Sequence, residues 1–162
     1  MEFNHVNTHS FPNLRATQTP NGRRYRVGDS FYPSVTTITS HSKKDSIMKW
    51  RKRVGEEEAN AISKRASTRG NKCHKLCELY LSNESISKYK DDALSMGLFY
   101  QIKPYLDSID NIHALEDPLS SSLLKMAGRV DCIAEYNGEL AIIDFKTSTK
   151  YKREEWIDDY FA

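Results

Sequence analysis

The sequence predicts an α/β fold, a small mixed sheet with helices on both sides, preceded by a helical N-terminal part. Three observations lead there. Apolar residues recur at helical spacing within 56–82 and 91–109. A stretch rich in β-branched and aliphatic residues, AGRVDCIAEYNGELAIIDFKT over 127–147, carries Asn137-Gly138 at its middle. Asn-Gly between apolar runs is a strong hairpin signal, because both residues accept the positive φ of a type I′ turn. Finally, the residues that would face each other are mostly apolar on both faces: Val130 with Phe145, Cys132 with Ile143, Ile133 with Ile142, Ala134 with Ala141. That is the pattern of a sheet covered on each side.

At 162 residues the chain is long enough for one domain with a real core, expected over 21–162 after a loose arm over 1–20 that contains Pro12 and Pro20. A hydrophobic content of 38% against 28% charged fits a globular protein. No apolar run approaches the length of a membrane span, and the N-terminus lacks the charged-then-apolar layout of a secretory signal. Three cysteines without a framework spacing suggest a reducing compartment, so a cytoplasmic location is expected, that of a host cell if the source is a phage. The net charge is only +2, but residues 1–80 hold 15 Lys/Arg against 7 Asp/Glu, and residues 81–162 hold 9 against 15. A basic half beside an acidic half suits a phosphate-binding surface next to a metal site. A solvated, charge-mixed surface gives the same totals.

In chain order, 24–32 reads as a hairpin turning at Gly28-Asp29, with Arg23, Arg24 and Arg26 beside Tyr25. That run suits a nucleic-acid backbone or, equally, an edge protected by charge. The stretch 34–38 leads into helix. Asp45 is placed to cap a helix over 45–54 that carries Lys49-Trp50-Arg51-Lys52-Arg53. Trp50 is assigned to the core and the basic residues to DNA. Gly55 breaks the pattern, and a helix over 56–68 turns Ala59, Ile62 and Ala66 inward. Arg69-Gly70 then turns into a helix over 71–82, where Cys73, Leu76, Cys77 and Tyr80 form a buried stripe. His74 and Glu78 lie one turn apart on the adjoining face. A helix over 91–109, kinked at Pro104, points Leu98, Ile102, Tyr105, Leu106 and Ile109 inward. A strand over 112–119 carries Glu116, and a helix begins near Lys152 with Trp156.

The chemistry gathers at the open end of the 127–147 hairpin. If its loop is Asn137-Gly138, Tyr136 faces Glu139 and Asp131 lies opposite Asp144, their Cβ atoms about 4.5–5.5 Å apart. Lys146 points to the same face. Nothing about folding favours two opposed carboxylates, and a hard divalent cation, Mg²⁺ or Mn²⁺, is their natural counter-ion. An ordinary salt bridge from Asp131 to Arg129 or Lys146 is the alternative that the spacing leaves open. Cys73-His74-x-x-Cys77 also reads as a structural zinc site, but both cysteines belong to the apolar stripe and Cys132 is the only other thiol.

Arg69-Gly70 followed by His74, then Gly128-Arg129-Val130-Asp131, then Asp144-Phe145-Lys146, in that order, resemble the PD-(D/E)XK nuclease superfamily. Within it the chain is similar to the RecB-like branch and its phage and mitochondrial exonucleases, from about Tyr32 to the end. The resemblance implies a restriction-endonuclease-like fold and a Mg²⁺- or Mn²⁺-dependent deoxyribonuclease. Asp131 and Asp144 would hold the cation with His74 and the Phe145 carbonyl. Glu116 would bind it directly or through water, or else be an exposed strand-end charge. Glu78 would orient His74. Lys146 would position or help deprotonate the attacking water and balance charge in the transition state. Arg69 and Thr147, with Lys49, Arg51 and Arg53, would touch the DNA.

An exonuclease on single-stranded ends is expected, because no element suited to reading base edges in the major groove is evident. An endonuclease on the same core and a non-catalytic nucleic-acid-binding module are the alternatives. A monomer is expected, without membrane contact. An iron–sulfur cluster is not expected, since three cysteines do not supply four ligands. The branch also carries a Gln-x-x-x-Tyr helix beyond this point. The chain reaches Tyr160-Phe161-Ala162 without it, so a fragment or a variant lacking that motif is expected.

Overall fold

The computed structural model describes residues 2–6 and 11–149. Three short strands come first: β1 (Ala16–Thr19), β2 (Gly22–Val27) and β3 (Ser30–Pro33) form an antiparallel sheet with β2 in the centre. The turn at Gly28-Asp29 is as expected, with Val27 paired to Ser30. Two expectations fail here. Tyr25 is buried instead of standing among the arginines. The stretch 1–20 is not all loose: residues 16–19 are β1, Phe3 packs into the core, and Asn4 and Val6 exchange backbone hydrogen bonds with Ile112.

Ser34 caps α1 (Val35–Ser42), accepting the Thr37 N–H at 3.0 Å. Helix α2 (Lys44–Val54) follows, capped at Lys43 without a side-chain bond; Asp45 lies in its first turn and is not the cap. Gly55, at φ 89°, then separates α2 from α3 (Glu56–Leu81). Helix α3 is one continuous rod of 26 residues where the sequence suggested two helices joined at Arg69-Gly70. A glycine inside a helix costs only about 1 kcal/mol, which the buried stripe of its second half outweighs. Cys73, Leu76 and Cys77 are buried as expected, with Leu79 and Leu81 added, and Tyr80 packs against the core. The first half is different: Ala59 is buried, but Ile62 and Ala66 are exposed.

Asp92 caps α4 (Ala93–Leu106). Phe99, Leu106 and Ser95 are buried on it, Leu98 and Ile102 are half-buried, and Tyr105, expected inside, faces solvent. Pro104 falls in its last turn, and Ile109 already belongs to β4 (Ile109–Leu115). The single strand expected over 112–119 is two: β4 ends before Glu116, and β5 (Pro118–Ser121) starts after Asp117. Likewise the first arm of the 127–147 hairpin is broken. Its start, β6 (Met126–Arg129), pairs with β5, and only β7 (Cys132–Tyr136) and β8 (Glu139–Ile143) form the hairpin.

The β7–β8 register is the expected one, Tyr136 against Glu139 through to Cys132 against Ile143, with Asn137 at φ 52° and Gly138 at φ 84°. Together with β4 it forms an antiparallel sheet in the order β4-β7-β8. Among the described residues all strand pairs are antiparallel, and parallel pairing is confined to isolated bridges, His5 with Ile112 and Ser34 with Ala127. The molecule is therefore α/β in class, with helices α3 and α4 on one face of this sheet. The second covering layer is not found among the described residues, where Leu140 (69% exposed) and Ile142 (78%) on β8 face outward. The helix expected near Lys152 and Trp156 lies outside the described residues.

Candidate metal and active site

Three separate parts of the chain supply the site. His74 comes from the second half of α3, whose buried stripe fixes the rotation of the helix and leaves the imidazole at the border of the core. The ring packs edge-on against Phe145, centroids 6.1 Å apart. Glu116 sits in the tight turn between β4 and β5 at φ 55°, a left-handed conformation that costs a non-glycine residue about 1–2 kcal/mol. The turn is locked to the junction between β6 and β7: the Glu116 N–H donates to the Asp131 carbonyl at 3.0 Å, and the Val130 N–H donates to the Asp117 carbonyl at 3.0 Å. This reciprocal pair brings Glu116 beside Asp131.

Asp131 is the hub. Its side chain is 13% exposed, and Oδ2 accepts the Phe145 N–H at 2.7 Å. The same oxygen lies 3.4 Å from His74 Nδ1 and 4.0 Å from Lys146 Nζ. One ligand atom each from His74, Glu116 and Asp131 lie within 4.8 Å of one another. Burial pushes the Asp131 carboxyl above the usual carboxylate range, against the opposing pull of the Phe145 amide, His74 and Lys146. Burial also raises Glu116, with Asp131 adding to the effect. Two carboxylates disfavoured as anions beside an imidazole are short of positive charge. A set of two oxygens and one nitrogen suits a hard or borderline divalent cation.

The structure does not reproduce the pairing of Asp131 with Asp144 that the register suggested. The β7–β8 ladder stops at Cys132 and Ile143, and the Phe145 N–H then turns to the Asp131 carboxylate. Asp144 is exposed and accepts a hydrogen bond from Lys146, and it stands outside the three-residue cluster. The Phe145 carbonyl lies 3.4 Å from Lys146 Nζ. Of the salt bridges weighed as alternatives for Asp131, Lys146 is at the edge of range, while Arg129 reaches Glu116 instead, at 3.7 Å. Glu78 pairs with Lys75 at 2.5 Å.

The expected DNA contacts are scattered. Thr147 lies beside α3, its Oγ1 3.7 Å from where a Cβ on Gly70 would be. Arg69 keeps a buried Nε that finds no hydrogen-bond partner among the described residues. Lys49 and Arg53 are exposed on α2, but Arg51 is bound by Glu56 and Asn60 of α3 and ties the two helices together. The zinc alternative fares poorly. Among the described residues His74 gathers with Glu116 and Asp131 and not with Cys73 or Cys77, which are buried in the apolar stripe of α3. What sequence reasoning missed was the Phe145 amide as the clamp on Asp131, for which a backbone donor leaves no signal. The local hint for Glu116 was the Asp117-Pro118 dipeptide, which favours a turn.

No protein-family model matches the chain. It is similar to mitochondrial genome maintenance exonuclease 1 from three animals. Identity to the Homo sapiens protein is 29% over 129 residues, covering 74% of this chain and 38% of that protein. To the Mus musculus protein it is 30% over 128 residues, again 74% and 38%. To the Xenopus tropicalis protein it is 28% over 137 residues, 80% and 40%. The chain thus spans about two fifths of the length of these curated relatives. This similarity supports a nuclease family for the chain.

Proposed function

We propose that this chain carries the catalytic core of a PD-(D/E)XK exonuclease of the RecB-like branch, which hydrolyses phosphodiester bonds from free ends of single-stranded DNA with Mg²⁺ or Mn²⁺. The observation that carries the reading is the convergence of His74, Glu116 and Asp131 on one point beside Lys146. Its support from outside is the likeness to proteins named as exonucleases.

His74, Glu116 and Asp131 would hold the cation, with Asp144 brought in if Lys146 releases it. When bound, a divalent cation supplies Lewis acidity toward the phosphate and a lower pKa for a coordinated water. The remaining work belongs to the chain. The Phe145 amide fixes one oxygen of Asp131, so the ligand needs little reorganisation. Lys146, held at the site's edge by Asp144 and the Phe145 carbonyl, places an ammonium where the phosphate gains negative charge, or holds the attacking water. The exposed Lys49, Lys52 and Arg53 of α2 offer charge to the backbone of an approaching strand. The protein would act as a monomer in a reducing compartment.

The test is incubation of linear single- and double-stranded DNA, end-labelled, with the protein in Mg²⁺, in Mn²⁺ and in EDTA. The expected result is release of the label from the single strand in either metal and none in EDTA. Binding without degradation in both metals would leave a non-catalytic module.

A further inference from the structure

The proposed cleavage site leaves one basic surface unused, the outer face of the N-terminal sheet. Tyr25 on the central strand β2 is 2% exposed, so its neighbours Arg24 and Arg26 point to the opposite, solvent side. The register carries that face onto both flanking strands. Phe31 of β3 is opposite Arg26, and Thr17 of β1 is opposite Arg24. On the other side of Arg26 stands Arg15, whose carbonyl accepts the Arg26 N–H at 3.2 Å. All three arginines are exposed, and Phe31 is 55% exposed.

Stability accounts for none of this. Charges that protect a sheet from edge pairing sit on edge strands, whereas Arg24 and Arg26 occupy the central strand, paired on both sides. Like charges directly opposed across a sheet are destabilising, yet Arg15 faces Arg26. Ion pairing does little to relieve them: Arg26 reaches Asp29 only at 3.9 Å, and among the described residues no carboxylate pairs with Arg15 or Arg24. Phe31, with its Cβ about 5 Å from that of Arg26, adds an uncovered ring to this cationic face. Three exposed guanidiniums, of which among the described residues Arg26 alone has an ion pair, at 3.9 Å, match, with the open aromatic ring beside them, a flexible polyanion that carries its own flat rings.

We propose that this face is a platform for single-stranded DNA, with phosphates on Arg15, Arg24 and Arg26 and a base stacked on Phe31. The proposal rests on the reading of DNA as the substrate and extends it to a second binding region, on strands that contribute nothing to the cation cluster. The platform and the cluster share a frame. Ser34, directly after β3, bridges to Ala127 of β6, and Asp131 lies four residues further along the chain, within about 14 Å even if fully extended.

Binding is best read apart from cleavage, as fluorescence anisotropy of a labelled oligothymidylate with the full chain carrying Asp131→Asn, in EDTA. On that background Phe31→Ala should weaken binding about tenfold, and Phe31→Trp should retain it, since stacking depends on the ring and not on its identity. Arg24→Ala with Arg26→Ala should make the slope of log affinity against log salt shallower by about 0.7 for each phosphate no longer neutralised. Thermal midpoints should hold, because all these side chains are exposed. Wild-type affinity in Phe31→Ala, or a wild-type salt slope in the double arginine variant, would overturn the platform. So would equal, Phe31-dependent capture of polyglutamate, which would mark a surface for acidic protein segments. If DNA is never degraded but binding still depends on Phe31, the nuclease reading fails and the platform stands. If DNA is degraded and binding ignores Phe31, the platform alone fails.

Discussion

Asp131 shows how much one side chain has to reconcile. It is nearly buried, which disfavours its charge, and it is kept in place by the Phe145 amide, His74 and Lys146. Asp131→Asn keeps an oxygen able to accept the Phe145 N–H but removes the anion. Cleavage should fall by about 10²-fold or more, while the thermal midpoint in EDTA should hold or rise, because a desolvated charge has gone. Near-normal Mg²⁺-dependent degradation by this variant would mean that the site is misassigned. Lys146 is a contrasting case, exposed and shared between Asp144 and the Phe145 carbonyl. If it acts on charge that develops only in the transition state, Lys146→Ala should lower the rate by about 10²–10³-fold with little change in DNA affinity. Equal losses in single-turnover rate and in affinity would make it a phosphate anchor instead.

At the scale of elements, α3 carries both the core and the site, and its glycine is a point of weakness. Gly70 has ordinary helical geometry, and among the described residues a methyl group there would meet only Thr147 Oγ1, at 3.7 Å. Gly70→Ala should therefore stabilise the protein by about 0.5–1 kcal/mol, measured by urea unfolding; a destabilised variant would show that α3 needs flexibility at this turn. The start of α4 depends on charge. Asp92 accepts the Ser95 N–H at 3.1 Å and pairs with Lys72 of α3 at 2.6 Å. Lys72 chiefly, and then Ser95, lower the Asp92 carboxyl from its ordinary 3.8 to about 2. A depressed acid stabilises the fold above its unfolded value and loses that effect as the pH falls through its folded value. Asp92→Asn retains a capping oxygen but loses the charge. Its thermal midpoint should lie below wild type at pH 7, and the gap should narrow as the pH drops from about 3.8 toward about 2. The gap should shrink in high salt as well, since the pair is partly exposed. A gap that is constant with pH would assign the effect to packing.

For the whole molecule the governing feature is the uneven charge, basic across residues 1–80 and acidic across 81–162. On the proposed function, a strand attracted to the basic half would meet the candidate metal site where the two halves join, at His74 of α3 against Glu116 and Asp131. If the proposed reading holds, the strand is bound through its backbone, so affinity should fall steeply with salt and depend little on base sequence. An enzyme that works from ends should leave a circular single strand intact and degrade the same strand once linearised, as resolved on a denaturing gel. Rapid cutting of the circle would put an endonuclease on the same core.

The sequence by itself determined the turn and register of the β7–β8 hairpin, though not its length, because Asn137-Gly138 permits one tight turn and a two-residue turn permits one register. It also determined the buried stripe around Cys73, Leu76 and Cys77 and the placement of His74 at its border, since a 3.6-residue period is a local property. Only the tertiary structure decided that Glu116, and not Asp144, joins His74 and Asp131. Their meeting depends on the backbone lock between the turn at Glu116-Asp117 and the junction at Val130-Asp131, and on the ladder ending where the Phe145 amide finds a carboxylate. No periodicity encodes a contact between residues 74, 116 and 131. Packing alone also decided that α3 runs through Gly70 and that Phe31, and not Tyr25, is the open ring beside the arginines. Alternation along β2 puts Tyr25 on one face and Arg24 and Arg26 on the other, but which face the rest of the chain covers depends on where that sheet docks.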